Sequence, residues 1–125
     1  MTKKILIVDD EPSLRFLISS ALEDEGYYIS EAADGLEAYD LIRKQKPDLI
    51  ILDVMMPGMT GIELCEKLKK DLVTKNIIIL MLTAKGQLQD KIESEKVGAD
   101  YYLRKPFSPI GLLEIVDGLL NKNNH

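Results

Sequence analysis

The chain carries no tryptophan, two phenylalanines, one cysteine and one histidine in 125 residues. The lone thiol, Cys65, rules out an intrachain disulfide and agrees with a reducing cytosol. The longest apolar runs, Ile77 to Leu82 and Leu49 to Leu52, fall far short of a membrane span. These N-terminal residues are not expected to act as a signal peptide, because Asp9 and Asp10 interrupt the apolar stretch behind the basic Met1-Thr2-Lys3-Lys4. Positive charge is not in excess. The formal net charge of −5 supplies no basic face for nucleic acid, so direct DNA binding by these residues is not expected. Neither a linker nor a low-complexity segment divides the sequence. One domain over residues 1–121 is expected, followed by a short polar tail, 122–125, that should fray.

What is present is ordinary for a globular protein, 46% hydrophobic and 30% charged, at a length that buries about two-thirds of the unfolded surface. Five short runs rich in β-branched residues read as strands: 4–8, 27–32, 48–53, 77–82 and 100–104. The first, third and fourth are apolar at nearly every position, the signature of strands covered on both faces. Helical periodicity fills the gaps. Pro12 suits a first turn, Leu14, Leu17, Ile18, Ala21 and Leu22 form a stripe, and Gly26 suits the end. Ala38, Leu41 and Ile42 mark a second helix, closed before Pro47. Thr60 with Glu63 predicts a capping box on a third, which turns Cys65 and Leu68 inward. A fourth, about 87–97, has only Leu88, Ile92 and Val97 to bury. The fifth begins at Ser108 and buries Leu112, Leu113, Val116, Leu119 and Leu120. Strand and helix in alternation predict an α/β fold, a (βα)5 flavodoxin-like doubly wound parallel sheet with strand order 2-1-3-4-5.

In such a sheet ligands bind beyond the carboxyl ends of the strands, where the strand order reverses. The first strand ends in Asp9-Asp10, the third in Asp53, the fourth in Thr83, and the fifth leads into Lys105-Pro106. Three carboxylates so placed repel one another, at about 4 kcal/mol for a pair about 4 Å apart in an effective dielectric of ~20. A divalent cation resolves that repulsion. All-oxygen donors with no His or Cys beside them favour Mg²⁺, with Mn²⁺ as a substitute, over Zn²⁺. The same cation and Lys105 would neutralise a phosphoryl group under attack by Asp53, the carboxylate ending the central strand. Singly, each residue has a plainer explanation: Asp10 or Glu11 as a helix cap, Asp53 as a turn residue, Thr83 as a loop start, Lys105 as a solvated lysine. The convergence of four strand ends on one edge is what those explanations do not supply. Cys65 reads as a small core residue, and Met55, Met56 and Met59 read equally as a partner surface or as loop packing under Pro57.

Four stretches carry a resemblance. Ile5 to Glu11, Asp48 to Gly61, Leu82 to Lys85 and Gly98 to Phe107 resemble, in order and spacing, the receiver domains of bacterial two-component response regulators. The resemblance implies a phosphorylation-activated switch, not a turnover enzyme, with Asp53 as phosphoacceptor. It implies that Asp9, Asp10 and Asp53 hold Mg²⁺, that the Met55 carbonyl completes that site, and that Lys105 contacts the phosphoryl group. Thr83 and Tyr102 look like a switch pair acting on the face of helix four, strand five and helix five, where an unidentified downstream protein would bind. The Lys105-Pro106 bond is similar to one that is cis in the family. Met55 and Lys85, each two residues beyond a site residue, are expected to tune the lifetime of the phosphorylated state. Because the sole histidine is His125, the phosphoryl donor must be a separate histidine kinase or phosphotransfer protein, in the cytoplasm. Either a monomer or a phosphorylation-dependent dimer fits.

Two forms of output stay open. Regulators that dimerise and carry winged-helix output domains usually place Arg or Lys in the last helix where Asp117 or Ile115 stands here, which favours a stand-alone switch. The alternative is the receiver half of a DNA-binding regulator. A small Mg²⁺-dependent aspartyl phosphatase is a remote third reading, since Asp9-Asp10-Glu11 lacks the Asp-x-Asp of such enzymes. A flavin site would need a Ser/Thr/Gly-rich loop where Asp10-Glu11-Pro12-Ser13 stands.

Overall fold

The computed structural model describes residues 2–84 and 88–121. Lys85 and the tail 122–125 therefore lie outside the described residues. Five strands, β1 (Lys4–Val8), β2 (Tyr28–Ala32), β3 (Leu49–Asp53), β4 (Ile78–Thr83) and β5 (Tyr101–Arg104), alternate with five helices. These are α1 (Pro12–Glu23), α2 (Gly35–Gln45), α3 (Gly61–Lys70), α4 (Leu88–Lys96) and α5 (Pro109–Asn121). The strands form one parallel sheet in the order β2-β1-β3-β4-β5, as expected.

The unbroken apolar runs are explained by a core on each face. Successive strand residues point to opposite sides. Leu6, Val8, Ile50, Leu52 and Met81 pack with α2 and α3 through Ala38, Ile42, Leu64, Cys65 and Leu68. Ile5, Ile7, Leu49, Ile51 and Leu82 pack with α1 and α5 through Ile18, Leu22, Leu112, Val116 and Leu120. Every residue of β3 is buried, whereas the edge strands β2 and β5 have exposed positions. Leu113 and Leu119 of the fifth stripe are only partly buried, flanking that core.

Local signals set the helix ends. Asp34 caps α2 by accepting the Glu37 N–H at 2.8 Å, and left-handed Lys46 (φ 48°) closes it before Pro47. The Thr60–Glu63 capping box is formed in both directions, at 3.2 and 3.0 Å. Pro12 opens α1 as expected, but Glu11 caps it without a side-chain hydrogen bond, so neither Asp10 nor Glu11 is consumed as a cap acceptor. The stripe expected for α1 is misplaced at one position. The buried face comprises Ile18, Ser19 and Leu22, which turns Leu17 out to 45% exposure. Ser19 tolerates burial because its hydroxyl donates to Glu23 Oε1 at 2.7 Å. The methionines divide too: Met56 is buried, Met59 packs on the same core, and Met55 is 64% exposed.

One contact ties α3 to the end of β3. Gly61 donates its N–H to the Val54 carbonyl at 3.0 Å, and a Cβ built on it would lie 2.1 Å from the Asp53 carbonyl oxygen. Only glycine allows this approach. Gly61→Ala should lower stability by about 1–3 kcal/mol, as overpacking does, read from urea unfolding. An unchanged midpoint would show that α3 moves away from the strand at no cost.

Candidate functional site

The site begins with register. Val8 pairs with Leu52 across β1 and β3, and Asp53 pairs with Leu82 across β3 and β4. The residues following those strands therefore emerge along one edge. Asp9, just past β1, is fully buried, and Asp53 is 6% exposed. Asp10 is exposed beside them, and carboxylate oxygens of all three lie within 4.8 Å of one another.

Lys105 answers the two buried carboxylates. Its Nζ donates to Asp9 Oδ2 and to Asp53 Oδ2, each at 3.2 Å. The remaining oxygens take backbone donors: Asp9 Oδ1 accepts the Glu11 N–H at 2.9 Å, and Asp53 Oδ1 accepts the Met55 N–H at 3.2 Å. Both carboxylate planes are thereby fixed. Burial and the neighbouring charge of Asp9 nevertheless push the Asp53 carboxyl from 3.8 up to about 6, against the opposing pull of Lys105 and the Met55 N–H. Burial draws the Lys105 ammonium down, but the charges of Asp53 and Asp9 outweigh it and hold it above its ordinary value. One ammonium thus does not fully compensate two buried carboxylates. The donor set is all oxygen, as a hard divalent cation requires, and the excess negative charge fits such an ion.

Other anticipated residues are placed as follows. Thr83, 3% exposed at the end of β4, accepts the Lys105 N–H on its backbone carbonyl at 2.7 Å. Among the described residues its side-chain hydroxyl has no hydrogen-bond partner. The Lys105–Pro106 bond is cis. Met55 stands exposed next to the carboxylates. Tyr102 is not brought to the carboxylates. It pairs with Met81, lies half-buried against the α2–α3 side of the core, and has Lys91 Nζ 4.9 Å from its ring centre. Two contributors were not anticipated. Arg15 hydrogen-bonds the Asp9 carbonyl through Nη1 and pairs with Glu31 at 3.1 Å, fixing the turn that presents Asp9 and Asp10. Gly61 supplies the room beneath Asp53. An arginine one turn into the helix after an acidic strand end was the available signal for the first.

A parallel sheet with buried carboxylates and a lysine at its switch point defines a class of site, and comparison with known proteins names the family. Residues 5–117 match the response regulator receiver domain, and the chain belongs to that family. It is 49% identical over 120 residues to the phosphate regulon transcriptional regulatory protein PhoB of Pseudomonas aeruginosa, covering 96% of this chain and 52% of PhoB. It is 42% identical over 107 residues to sporulation initiation phosphotransferase F of Bacillus subtilis, covering 86% of this chain and 85% of that protein. The chemotaxis response regulator CheY4 of Vibrio cholerae superposes with a TM-score of 0.90 at 41% identity, over 96% of this chain and 100% of that one. The chain spans about half the length of the transcriptional regulators it matches. Among the described residues no helix is long and apolar enough to cross a membrane.

The raised Asp53 value has a consequence for stability. A carboxyl that holds its proton more tightly in the folded state gives stability at low pH and loses it as pH rises from about 4 to about 6. In metal-free protein, the stability of Asp53→Asn relative to wild type should therefore climb by on the order of 2 kcal/mol between pH 4 and pH 7. Urea unfolding with chelator present reads this difference. A flat difference would show that Lys105 fully compensates the pair.

Proposed function

We propose that this chain is a phosphorylation-activated switch in which Asp53 accepts a phosphoryl group from a histidine kinase or phosphotransfer protein in the cytoplasm. The observation that carries the reading is the buried Asp9–Lys105–Asp53 bridge at the switch point, with Asp10 beside it. Asp9, Asp10 and Asp53 would hold Mg²⁺ or Mn²⁺, with the Met55 carbonyl completing the set. Bound there, the cation supplies positive charge to the phosphoryl oxygens. An Asp53 carboxylate oxygen attacks phosphorus, the bond to the donor nitrogen breaks, and an acyl phosphate forms. The Met55 N–H holds the attacking carboxylate in orientation. Lys105, already between Asp9 and Asp53, turns its ammonium to the phosphoryl oxygens.

The buried Thr83 hydroxyl, without a hydrogen-bond partner among the described residues, supports the next step, since such a group is costly until it finds an acceptor. A phosphoryl oxygen on Asp53 is that acceptor. Movement of Thr83 frees space toward which the half-buried Tyr102 turns, altering the α4–β5–α5 face for a downstream protein. The sparse burial of α4, with Ile92 39% exposed, suits a face that rearranges. The cycle is self-phosphorylation and dephosphorylation rather than turnover of external substrate. Met55, exposed at the site, and Lys85 would set its lifetime by obstructing water.

A second reading of output is favoured by the relatives. Several are transcriptional regulators twice as long, so the chain can serve as the receiver half of a DNA-binding protein, dimerising on phosphorylation. Whether the gene continues past His125 into an output domain separates this from a stand-alone relay.

Acetyl phosphate with Mg²⁺ should add one phosphoryl group by intact mass, and Asp53→Asn or omission of Mg²⁺ should abolish the gain. After donor removal, Met55→Asn and Lys85→Ala should change the decay rate. A gain that survives Asp53→Asn would move the acceptor elsewhere, and unchanged decay in both variants would end the lifetime proposal.

A further inference from the structure

A second concavity lies at the other end of the sheet. A cavity of about 230 Å³ opens between the C-terminal end of α2 and the loop from α3 to β4. Tyr39, Ile42, Val73 and Ile77 give it apolar walls, and Arg43 and Lys46 stand on its rim. Val73 is 74% exposed despite its apolar side chain, as is its neighbour Leu72 at 79%. The loop behind them is held in shape. Asp71 Oδ1 accepts the Val73 N–H at 2.9 Å, and the Thr74 hydroxyl donates to the Leu68 carbonyl at 2.7 Å. Those two polar groups are thus committed to the loop.

The cations around this cavity differ from their neighbours. Lys44 pairs with Asp40 at 3.2 Å, Lys70 with Glu66 at 3.6 Å, and Lys69 with Asp100 at 2.8 Å. Among the described residues, Arg43, Lys46 and Lys67 have no carboxylate within ion-pair distance. Two of these three converge on one aromatic ring. The Arg43 guanidinium lies 5.7 Å, and Lys67 Nζ 4.5 Å, from the Tyr39 ring centre. Favourable interaction with a helix C-terminus accounts for basic residues at the ends of α2 and α3. It applies equally to Lys44 and Lys70, but of these basic residues only Arg43 and Lys46 line the cavity.

We propose that this cavity binds a small aromatic carboxylate. The ring lies against Ile42, Ile77 and the Tyr39 side chain, and the carboxylate meets Arg43 and Lys46, away from Asp71. Size restricts the ligand, because sites for drug-sized molecules run to roughly 300–1,000 Å³. About 230 Å³ takes a single ring with its acid group. The site is distinct from the carboxylate cluster, which lies at the opposite ends of the strands and repels anions without a bound cation.

The test is amide-resolved NMR titration of the whole chain with phenylacetate, its neutral isostere phenylacetamide, and acetate. Phenylacetate should shift amides within 39–46 and 71–77, with a Kd on the order of a millimolar for so few atoms. Phenylacetamide should bind about tenfold more weakly, and acetate should leave those amides unmoved. Arg43→Gln combined with Lys46→Gln, both exposed positions, should weaken phenylacetate about tenfold and leave the remaining spectrum intact. No shifts in those segments, equal binding of the amide, or shifts centred on Asp9 and Asp53 would each overturn the proposal. None of these readouts depends on phosphorylation.

Discussion

Two carboxylates, Asp9 and Asp53, sit buried at the ends of neighbouring strands and share one ammonium. Most of the molecule can be understood as what is required to keep them there. Two anions at such separation in a poorly solvated place oppose folding, and Lys105 offsets only part of that cost, as the raised Asp53 value indicates. The deficit is met by burial elsewhere: both faces of β1, β3 and β4 are packed with aliphatic side chains, and no residue of β3 is exposed. Stability is supplied by the sheet and charge strain is concentrated at one edge of it. A site arranged this way responds strongly to any change of charge.

Position follows from topology. Parallel pairing with β1 between β2 and β3 brings the ends of β1 and β3 side by side, and the crossovers on opposite faces leave the space above them open. Smaller devices refine that placement. Arg15 pins the turn after β1, Gly61 lets α3 approach the Asp53 backbone, and the Thr60–Glu63 box sets where α3 begins. Tyr102, by contrast, lies away from the carboxylates against the core, with Lys91 beside it. Between the strand of Asp53 and the strand of that ring lies β4, where Thr83 is buried.

Much of this was legible because the governing patterns are local and redundant. Runs such as Ile50-Ile51-Leu52 announce strands covered on both faces, and the acids and the lysine follow strand ends directly in sequence. The details that escaped depend on tertiary rotation or distant partners. Periodicity marks a stripe on α1 but not its centre, so Leu17 and Ser19 exchanged roles. Composition cannot say which of Met55, Met56 and Met59 turns inward. The α2 cavity draws its walls from two segments some thirty residues apart and carries no motif. Arg15 reads as one more charge on a helix until its bond to the Asp9 carbonyl is seen.

The carboxylate cluster is a negative site only partly compensated by Lys105, and its all-oxygen donor set could hold a hard cation. Thermal unfolding of wild type and Asp53→Asn across a Mg²⁺ titration at pH 7 tests it most directly. Because a ligand bound only by the folded state raises stability with its concentration, the wild-type midpoint should climb with Mg²⁺. Asp53→Asn should start higher without metal and gain less. A wild-type midpoint indifferent to Mg²⁺, or an equal gain in the variant, would contradict the account.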